Sequence, residues 1–128
     1  QSLHAFGDRP FELVWLGLAM DRDRLAARLR ERTEAIFAAG LVEELASLLA
    51  AGFSPGLRPL RAIGYREAGE LLAGRLSRAE AIERAFIATR RYAKRQRTWF
   101  RAEPELEWLD AEAREPAIER VLRAISRR

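Results

Sequence analysis

The sequence predicts a mostly helical fold with two short strands. Apolar side chains recur at steps of three and four along most of the chain, which is the period of a helix that buries one face. Only Phe11–Met20 and Leu106–Leu109 have the short, nearly continuous apolar character of a buried strand. With 128 residues, of which 48% are hydrophobic, the chain is large enough to form one domain with a core.

The first strand leads directly into the first helix. Because Phe11–Met20 has hardly a polar side chain, we expect it to be buried on both faces, and few segments of this chain can serve as its neighbours. Asp21 is a favourable N-cap for a helix that runs from Arg22 to Gly40. The predicted inward stripe of that helix consists of Leu25, Leu29, Arg32 and Ile36.

Arg32 lies on this stripe where a core residue is expected. One explanation is structural: the side chain snorkels to solvent, or it pairs with a carboxylate such as Glu44 or Glu70. The other explanation is functional, because an arginine aimed into a cleft can hold a phosphate or a diphosphate. The residues alone leave both explanations open.

The middle of the chain predicts two short helices separated by a loop. One helix runs from Leu41 to Ala51 with its leucines inward, and Gly52 ends it. Phe53–Pro59 contains two prolines and a glycine and cannot continue a helix. The next helix runs from Arg66 to Ala73, and Gly64 just before it indicates a special backbone conformation or a close approach.

The longest predicted helix begins at a capping box formed by Ser77 and Glu80 and ends near Ala102, before Pro104. One face of this helix carries its apolar and small side chains. The predicted inward positions are Ile82, Phe86, Thr89, Ala93, Gln96 and Phe100.

The other face of this helix is strongly cationic. From Arg84 to Ala102 there are seven arginines or lysines and no acid: Arg84, Arg90, Arg91, Lys94, Arg95, Arg97 and Arg101. Like charges four residues apart repel one another, so we expect either a polyanionic partner or acids supplied from another segment. The structural alternative is a basic face that is simply solvated. Tyr92 and Trp99 among these cations favour nucleic acid, which offers both phosphates and stackable bases.

The chain ends in the second predicted strand, Leu106–Leu109, and a terminal amphipathic helix, Pro116–Ser126. The predicted inward side chains of that helix are Ile118, Val121, Leu122 and Ile125.

Composition excludes several kinds of site. The chain has no cysteine and a single histidine, His4, so disulfides, thiolate metal sites and multi-histidine metal sites are excluded. No apolar run approaches the roughly 18 residues of a membrane span. There is no glycine-rich phosphate loop and no nucleophile elbow. From the residues alone we predict a helical nucleic-acid-binding domain without a metal site or a complete active site.

Three motifs occur in a fixed order along the chain. Leu60–Glu67 reads LRAIGYRE, Thr89–Arg101 reads TRRYAKRQRTWFR, and Trp108–Asp110 reads WLD. A further segment runs from Arg32 to Gly40-Leu-Val-Glu-Glu-Leu45. Together these segments resemble the C-terminal part of the tRNA dimethylallyltransferases, also called tRNA isopentenylpyrophosphate transferases, from about Phe11 to Asp110.

The resemblance implies an α/β fold, in which residues 1–128 are a single, mostly helical fragment from the C-terminal portion of a P-loop NTPase-like fold. The N-terminal P-loop half and most of an inserted helical domain would be absent, with the insertion ending just before Gln1. The strand Phe11–Met20 would belong to the sheet of the absent half, which would account for its lack of neighbours.

The resemblance also implies an activity, a location and partners. Such enzymes transfer a dimethylallyl group from dimethylallyl diphosphate to N6 of the adenosine 3′-adjacent to the anticodon, and we expect this in the cytoplasm. The general base, the P-loop and the Mg²⁺ ligands would lie outside this chain, which would be inactive alone. The expected partners are the tRNA anticodon stem-loop and dimethylallyl diphosphate. An exposed strand edge would also allow self-association.

The resemblance assigns roles to particular residues. Arg32 would line the substrate channel and contact the diphosphate, while Trp99 and Phe100 would anchor the long helix in the core. The residues expected to contact tRNA are Arg90, Arg91, Lys94, Arg95, Gln96, Arg97 and Arg101. Two competing interpretations are a stand-alone helical nucleic-acid-binding module without catalysis, and a structural module whose cations pair with acids of another subunit.

Overall fold

A computed structural model of the chain describes residues 14–125, so His4, the beginning of the predicted first strand and Ser126 lie outside the described residues. Within that range there are five α-helices and two β-strands, as predicted. The helices are α1 (Arg22–Ala38), α2 (Leu41–Ala50), α3 (Tyr65–Leu72), α4 (Arg78–Arg101) and α5 (Arg114–Ile125). The strands are β1 (Trp15–Ala19) and β2 (Leu106–Asp110).

The described residues divide into two compact units. The helical unit, Asp21–Trp99, contains α1 to α3 and most of α4. The strand unit combines residues 14–20 with residues 100–125 and therefore contains β1, β2 and α5.

The helical unit has a core to which all four of its helices contribute. Phe37 of α1 is only 1% exposed, and three alanines on α3 and α4 are equally well buried. Small residues at these positions let the helices approach closely around the Phe37 ring. The core consists of Phe37, Leu41, Val42, Leu45, Leu60, Ala68, Leu76, Ala81 and Ala85.

The buried face of α1 differs from the predicted stripe. Leu25 and Leu29 are partly buried as expected, but Thr33 and Phe37 are buried in place of Arg32 and Ile36, which are exposed. A large aromatic ring fills the core better than the isoleucine beside it. Thr33 tolerates burial because its hydroxyl donates to the Leu29 carbonyl oxygen at 2.7 Å. The placement of Arg32 and Ile36 on the inward face was therefore wrong.

Both predicted helix caps are present. The Asp21 carboxylate accepts the backbone N–H groups of Asp23 and Arg24 at 2.9 and 3.0 Å. At the start of α4, the Glu80 carboxylate accepts the Ser77 backbone N–H at 2.8 Å, and the Ser77 hydroxyl accepts the Glu80 N–H at 3.3 Å. These bonds satisfy backbone donors that have no partner within the helix.

Gly64 has the special conformation that the sequence indicates. Its φ is +99°, and a Cβ built on it would lie 3.3 Å from Cδ2 of the buried Leu41. The Gly64 N–H donates to the Glu67 carboxylate at 2.8 Å, and Glu67 is only 3% exposed. Arg66 donates from Nε to the same carboxylate at 2.9 Å, so the buried charge is paired.

In the strand unit, β1 and β2 are parallel, and Trp15 pairs with Leu106 at one end while Ala19 pairs with Asp110 at the other. Gly17 lies under the Trp108 ring, where a Cβ would come within 3.1 Å of it. Burial of β1 on both faces was wrong for this chain, because Leu18 is 66% exposed and β2 is its only partner among the described residues. A parallel pair alone leaves strand faces and edges open.

The inward face predicted for α5 was also wrong. Its large apolar side chains, Ile118, Val121, Leu122 and Ile125, are 41–63% exposed. The partly buried positions of this helix and its start are Ala113, Ala117, Arg120 and Ala124. Arg120 donates from Nε to the Glu107 carboxylate of β2 at 2.8 Å, so small residues and an ion pair occupy the covered side.

Gly64→Ala should lower the free energy of unfolding by about 1–2 kcal/mol, because an L-residue is strained at positive φ. Gly52→Ala is the matched control, since Gly52 also has positive φ (+89°) but has nothing within 4 Å of an added Cβ. Urea unfolding followed by far-UV circular dichroism would measure both. An equal decrease in the two variants would remove the contact with Leu41 as a cause, and no decrease at Gly64 would contradict the strain.

The caps predict acid sensitivity. Hydrogen bonds from the backbone of Arg24 and Asp23 lower the pKa of Asp21 below 3.8, and those from Ser77 lower the pKa of Glu80 below 4.5. A carboxylate with a lowered folded-state pKa stabilises the fold above its unfolded pKa, and this stabilisation is lost as the pH falls through the folded value. The contribution of these caps to the melting temperature should therefore change little between pH 7 and about pH 5. The melting temperature should then decrease as the pH is lowered below about 4.5.

Asp21→Asn tests this expectation, because asparagine still accepts the two backbone hydrogen bonds but does not titrate. Its melting temperature should fall less than that of the wild type between about pH 5 and 3. Asp23→Asn, which leaves the N-cap bonds in place, serves as the control. Identical acid profiles for Asp21→Asn and the wild type would contradict the proposed role of the Asp21 cap.

Candidate nucleic-acid interface

The seven residues predicted to contact tRNA all lie on α4. Arg101 is in its last turn, beyond the helical unit, and the other six are within that unit. We use "basic strip" for the five cations of the helical unit, namely Arg90, Arg91, Lys94, Arg95 and Arg97. Four of the five are exposed and Arg97 is half-buried, whereas Gln96, predicted to face inward, is exposed.

The basic strip has no acidic partner within residues 14–125. Elsewhere in the described chain arginines do pair with acids: Arg30 with Glu83 at 2.7 Å, and Arg75 with Glu70 at 2.7 Å. The Arg75 hydrogen bond lowers the pKa of Glu70. Acids of the described chain therefore compensate other arginines, and the positive charge of the strip is not compensated within residues 14–125.

Two exposed aromatic rings accompany the strip. Tyr92 is 48% exposed, with the Arg95 guanidinium carbon 5.9 Å from its ring centroid and the Gln96 amide donating to its hydroxyl at 3.1 Å. Trp99 is 56% exposed, so its prediction as a core anchor was wrong, while Phe100 is partly buried. The surface thus offers flat rings beside cations, as the sequence predicts.

Among the clefts along α4 in the described part of the helical unit, two lie beside other helices. The first has a volume of about 260 Å³ and lies between α4 and the beginning of α1. The second, of about 450 Å³, lies towards α3 and is lined by Arg66, Glu67, Glu70, Leu76, Arg84, Ile87, Ala88 and Arg91. Ile87 and Arg91 line both clefts, so this part of α4 is a ridge between them.

Arg32 does not line either of these clefts, and it pairs with neither Glu44 nor Glu70, whereas its exposure agrees with the explanation that the side chain reaches solvent. It is exposed and has no hydrogen bond or ion pair within residues 14–125. Glu44 instead accepts a hydrogen bond from the Tyr65 hydroxyl, which raises the pKa of Tyr65, and Glu70 pairs with Arg75. The functional role of Arg32 stays a prediction.

Sequence reasoning missed Arg30. Its guanidinium carbon lies 3.9 Å from the centroid of the buried Phe86 ring, and it pairs with Glu83 of α4. Arg90 of the strip lies over the same ring at 5.5 Å. The available signal was its spacing, because Arg30 precedes Thr33 and Phe37 by three and seven residues and so shares their face.

Neither a metal cluster nor a membrane helix was found in the described part of the chain. No group of three or more histidine, aspartate or glutamate side chains there could hold a metal ion. No helix between residues 14 and 125 combines the length and apolarity needed to cross a membrane.

Comparison with known proteins agrees with the motifs. The sequence profile of the family described as IPP transferase matches residues 1–103. The chain belongs to the IPP transferase family. The resemblance stated from the LRAIGYRE and TRRYAKRQRTWFR segments is thereby confirmed.

Curated relatives match over most of this chain but only part of their own length. The tRNA dimethylallyltransferase of Geobacter sulfurreducens is 47% identical over 110 residues, which are 86% of this chain and 35% of the relative. That of Syntrophobacter fumaroxidans is 41% identical over 123 residues, or 96% of this chain and 36% of the relative. The chain therefore spans about a third of the length of these relatives.

Solved structures of the same family have the fold of this chain. The tRNA Δ(2)-isopentenylpyrophosphate transferase of Staphylococcus epidermidis superposes with a TM-score of 0.81 at 30% identity, covering 90% of this chain and 38% of that one. The tRNA isopentenylpyrophosphate transferase of Bacillus halodurans gives 0.80 at 33% identity, covering 90% and 39%. The predicted fold class, a mostly helical portion of a P-loop-type α/β fold, is confirmed.

Proposed function

We propose that this chain is the C-terminal portion of a tRNA dimethylallyltransferase and that its basic strip holds the backbone of the tRNA anticodon stem-loop. The observation that carries the proposal is the absence of acidic partners for the strip within residues 14–125, where several other arginines, such as Arg30, Arg75 and Arg120, are paired. Family membership favours tRNA as this anion, since the matched relatives are named tRNA dimethylallyltransferases.

The strip suits a nucleic-acid backbone because its charges repeat along a helix. Arg90, Lys94 and Arg97 follow one another at steps of four and three, and Arg91 and Arg95 lie beside them. Neutralising phosphates releases condensed counterions, so each contact adds affinity that decreases with salt. Arginine also binds phosphate through two parallel N–H bonds, which fixes the orientation of the RNA.

In the complete enzyme, N6 of the adenosine 3′-adjacent to the anticodon would attack C1 of dimethylallyl diphosphate. The C–O bond to the diphosphate would break, and the N6 proton would pass to a general base outside this chain. Within residues 14–125 no group of three or more histidine, aspartate or glutamate side chains could hold a metal ion, and the Mg²⁺ ligands are proposed to lie in the part of the enzyme outside this chain. We therefore propose that this chain contributes anion binding, and we assign it no metal-dependent step. The proposed location is the cytoplasm, where tRNA is modified.

Arg32 is proposed to contact the diphosphate in the complete enzyme. It is exposed, uncompensated within the described residues, and lies on α1 next to the partly buried Leu29 side of the helix. An arginine that remains charged and unpaired can follow the negative charge that develops on a departing diphosphate.

The strand unit is proposed to complete the sheet of the longer protein. Leu18 of β1 and Ile125 of α5 are 66% and 63% exposed, so apolar surface is open on both elements. The matched relatives contain about twice as much additional chain as they share with this one, and a parallel pair normally lies inside a larger covered sheet. As an alternative, this surface would mediate self-association of the chain through a strand edge.

Arg95→Ala should weaken binding of the chain to an anticodon stem-loop and reduce the slope of log K against log salt by about one unit for each phosphate that the variant no longer neutralises. Lys94→Ala should behave in the same way. Fluorescence anisotropy over a salt series measures both effects. Arg75→Ala removes the same charge from the paired Glu70 site of the helical unit and should leave the slope unchanged.

A scrambled hairpin tests recognition beyond charge. Tighter binding to the stem-loop than to the scrambled hairpin would support a tRNA path over α4. An unchanged salt slope in both Arg95→Ala and Lys94→Ala would show that neither side chain binds a phosphate. No binding at low salt would favour a structural module instead.

Arg32→Ala, introduced into the complete enzyme, should lower turnover roughly 10- to 100-fold, since a hydrogen bond to a charged group contributes roughly 1.5–3 kcal/mol. Affinity for tRNA should change little. Single-turnover rates and filter binding would separate the two effects, with Arg58→Ala as an exposed-arginine control from the same unit. Equal decreases in turnover and in tRNA affinity would count against a role in binding the diphosphate.

A further inference from the structure

We propose that Arg30 is a positioning residue for the basic strip: by occupying the Glu83 carboxylate, it keeps Arg90 available to a phosphate. The inference rests on the proposed RNA contact of the strip and adds to it a residue of α1 that acts through another side chain. Its evidence is the set of contacts around the Phe86 ring.

Arg30 brings its guanidinium group from α1 to α4. Its Nη2 donates to the Glu83 carboxylate at 2.7 Å, and its Cζ lies 3.9 Å from the centroid of the buried Phe86 ring. On α1 itself, Nη1 lies 3.8 Å from the Glu34 carboxylate. The charge of Arg30 is thus held by one acid from each helix and by the face of an aromatic ring.

Arg90 shares a face of α4 with Phe86 and Glu83. The three residues follow one another at steps of three and four, and long side chains on a helix lean towards its N-terminus, so Arg90 leans towards the other two. The guanidinium carbon of Arg90 lies 5.5 Å from the Phe86 centroid. Glu83 is the last acid in the sequence of α4 and precedes Arg90 by about two turns.

The two arginines therefore compete for one carboxylate. Glu83 is engaged by Arg30, whose positive charge also repels a second cation that approaches the same acid and ring. Without Arg30, Glu83 would be an uncompensated acid on the face of Arg90, and the Arg90 guanidinium would turn back to pair with it. The strip would then lose one phosphate contact although Arg90 itself is unchanged.

Arg30→Met tests this, because it removes the charge and keeps an apolar side chain over the Phe86 ring. On an anticodon stem-loop it should lower the slope of log K against log salt by about one unit, as Arg90→Ala does. Arg30→Met and Arg90→Ala combined should lower the slope no further than either alone, since both remove the same contact. Arg30→Gln is a second neutral variant and should give the same decrease as Arg30→Met.

Two double variants decide whether Glu83 is the cause. Arg30→Met with Glu83→Gln should recover the slope of the wild type, because the competing carboxylate is neutralised. Arg30→Met with Glu34→Gln is the matched control: it has the same net charge and removes the acid on α1 instead, and it should not recover the slope. Fluorescence anisotropy over a salt series measures the slopes, and far-UV circular dichroism verifies that the variants are equally helical.

The outcomes separate this proposal from the proposed function. Equal recovery in the two double variants would reveal an effect of net charge alone and overturn the role of Arg30, as would additive decreases from Arg30→Met and Arg90→Ala. An unchanged slope in both neutral variants of Arg30 would also overturn it, and a decrease in Arg95→Ala would leave the phosphate binding of the strip standing. Failure of the wild-type chain to bind the stem-loop at low salt would overturn both proposals.

Discussion

The burial of the first half of α4 in the core of the helical unit is the constraint on which the proposed interface depends. Ala81 and Ala85 are at most 1% exposed and Phe86 is 6% exposed, whereas no residue of α4 beyond Phe86 is buried. The helix is therefore held firmly at one end and accessible along the other. A continuous helix transmits that anchoring, so the cations are presented in a fixed array although they make few contacts themselves.

The anchor and the array meet at the Phe86 ring. Arg30 of α1 lies over this ring at 3.9 Å and Arg90 lies over it at 5.5 Å, while Glu83 compensates the charge of Arg30. Glu83 thus compensates the charge of Arg30 but not that of Arg90. Repulsion within the basic strip costs a few tenths of a kcal/mol per pair, roughly. The burial of the first half of α4 can offset this cost, so the helix stays folded.

The sequence was sufficient for features with local causes. The caps at Asp21 and Ser77 and the turn at Gly64 depend on residues close in the chain, and all three are present. The faces of α1 and α5 were predicted less well, because neighbouring apolar positions such as Ile36 and Phe37 compete, and only the shape of the partner helices decides between them. Burial of Trp99 was wrong for a different reason: it was expected from the resemblance to longer enzymes, and within the described chain Trp99 is 56% exposed.

The two units differ in how much of the surface needed to cover their apolar side chains lies within the described residues. The helical unit buries Phe37 and the leucines of α2 in a core of its own, and every buried side-chain polar atom in the described residues has a partner. The strand unit instead has a two-stranded sheet and a helix whose large apolar side chains are exposed. A two-stranded sheet is marginal by itself, so the stability of this unit depends on further covering surface. The basic strip, which we propose to bind anions, consequently lies in the unit that has a core of its own, so the proposal can be tested on this chain.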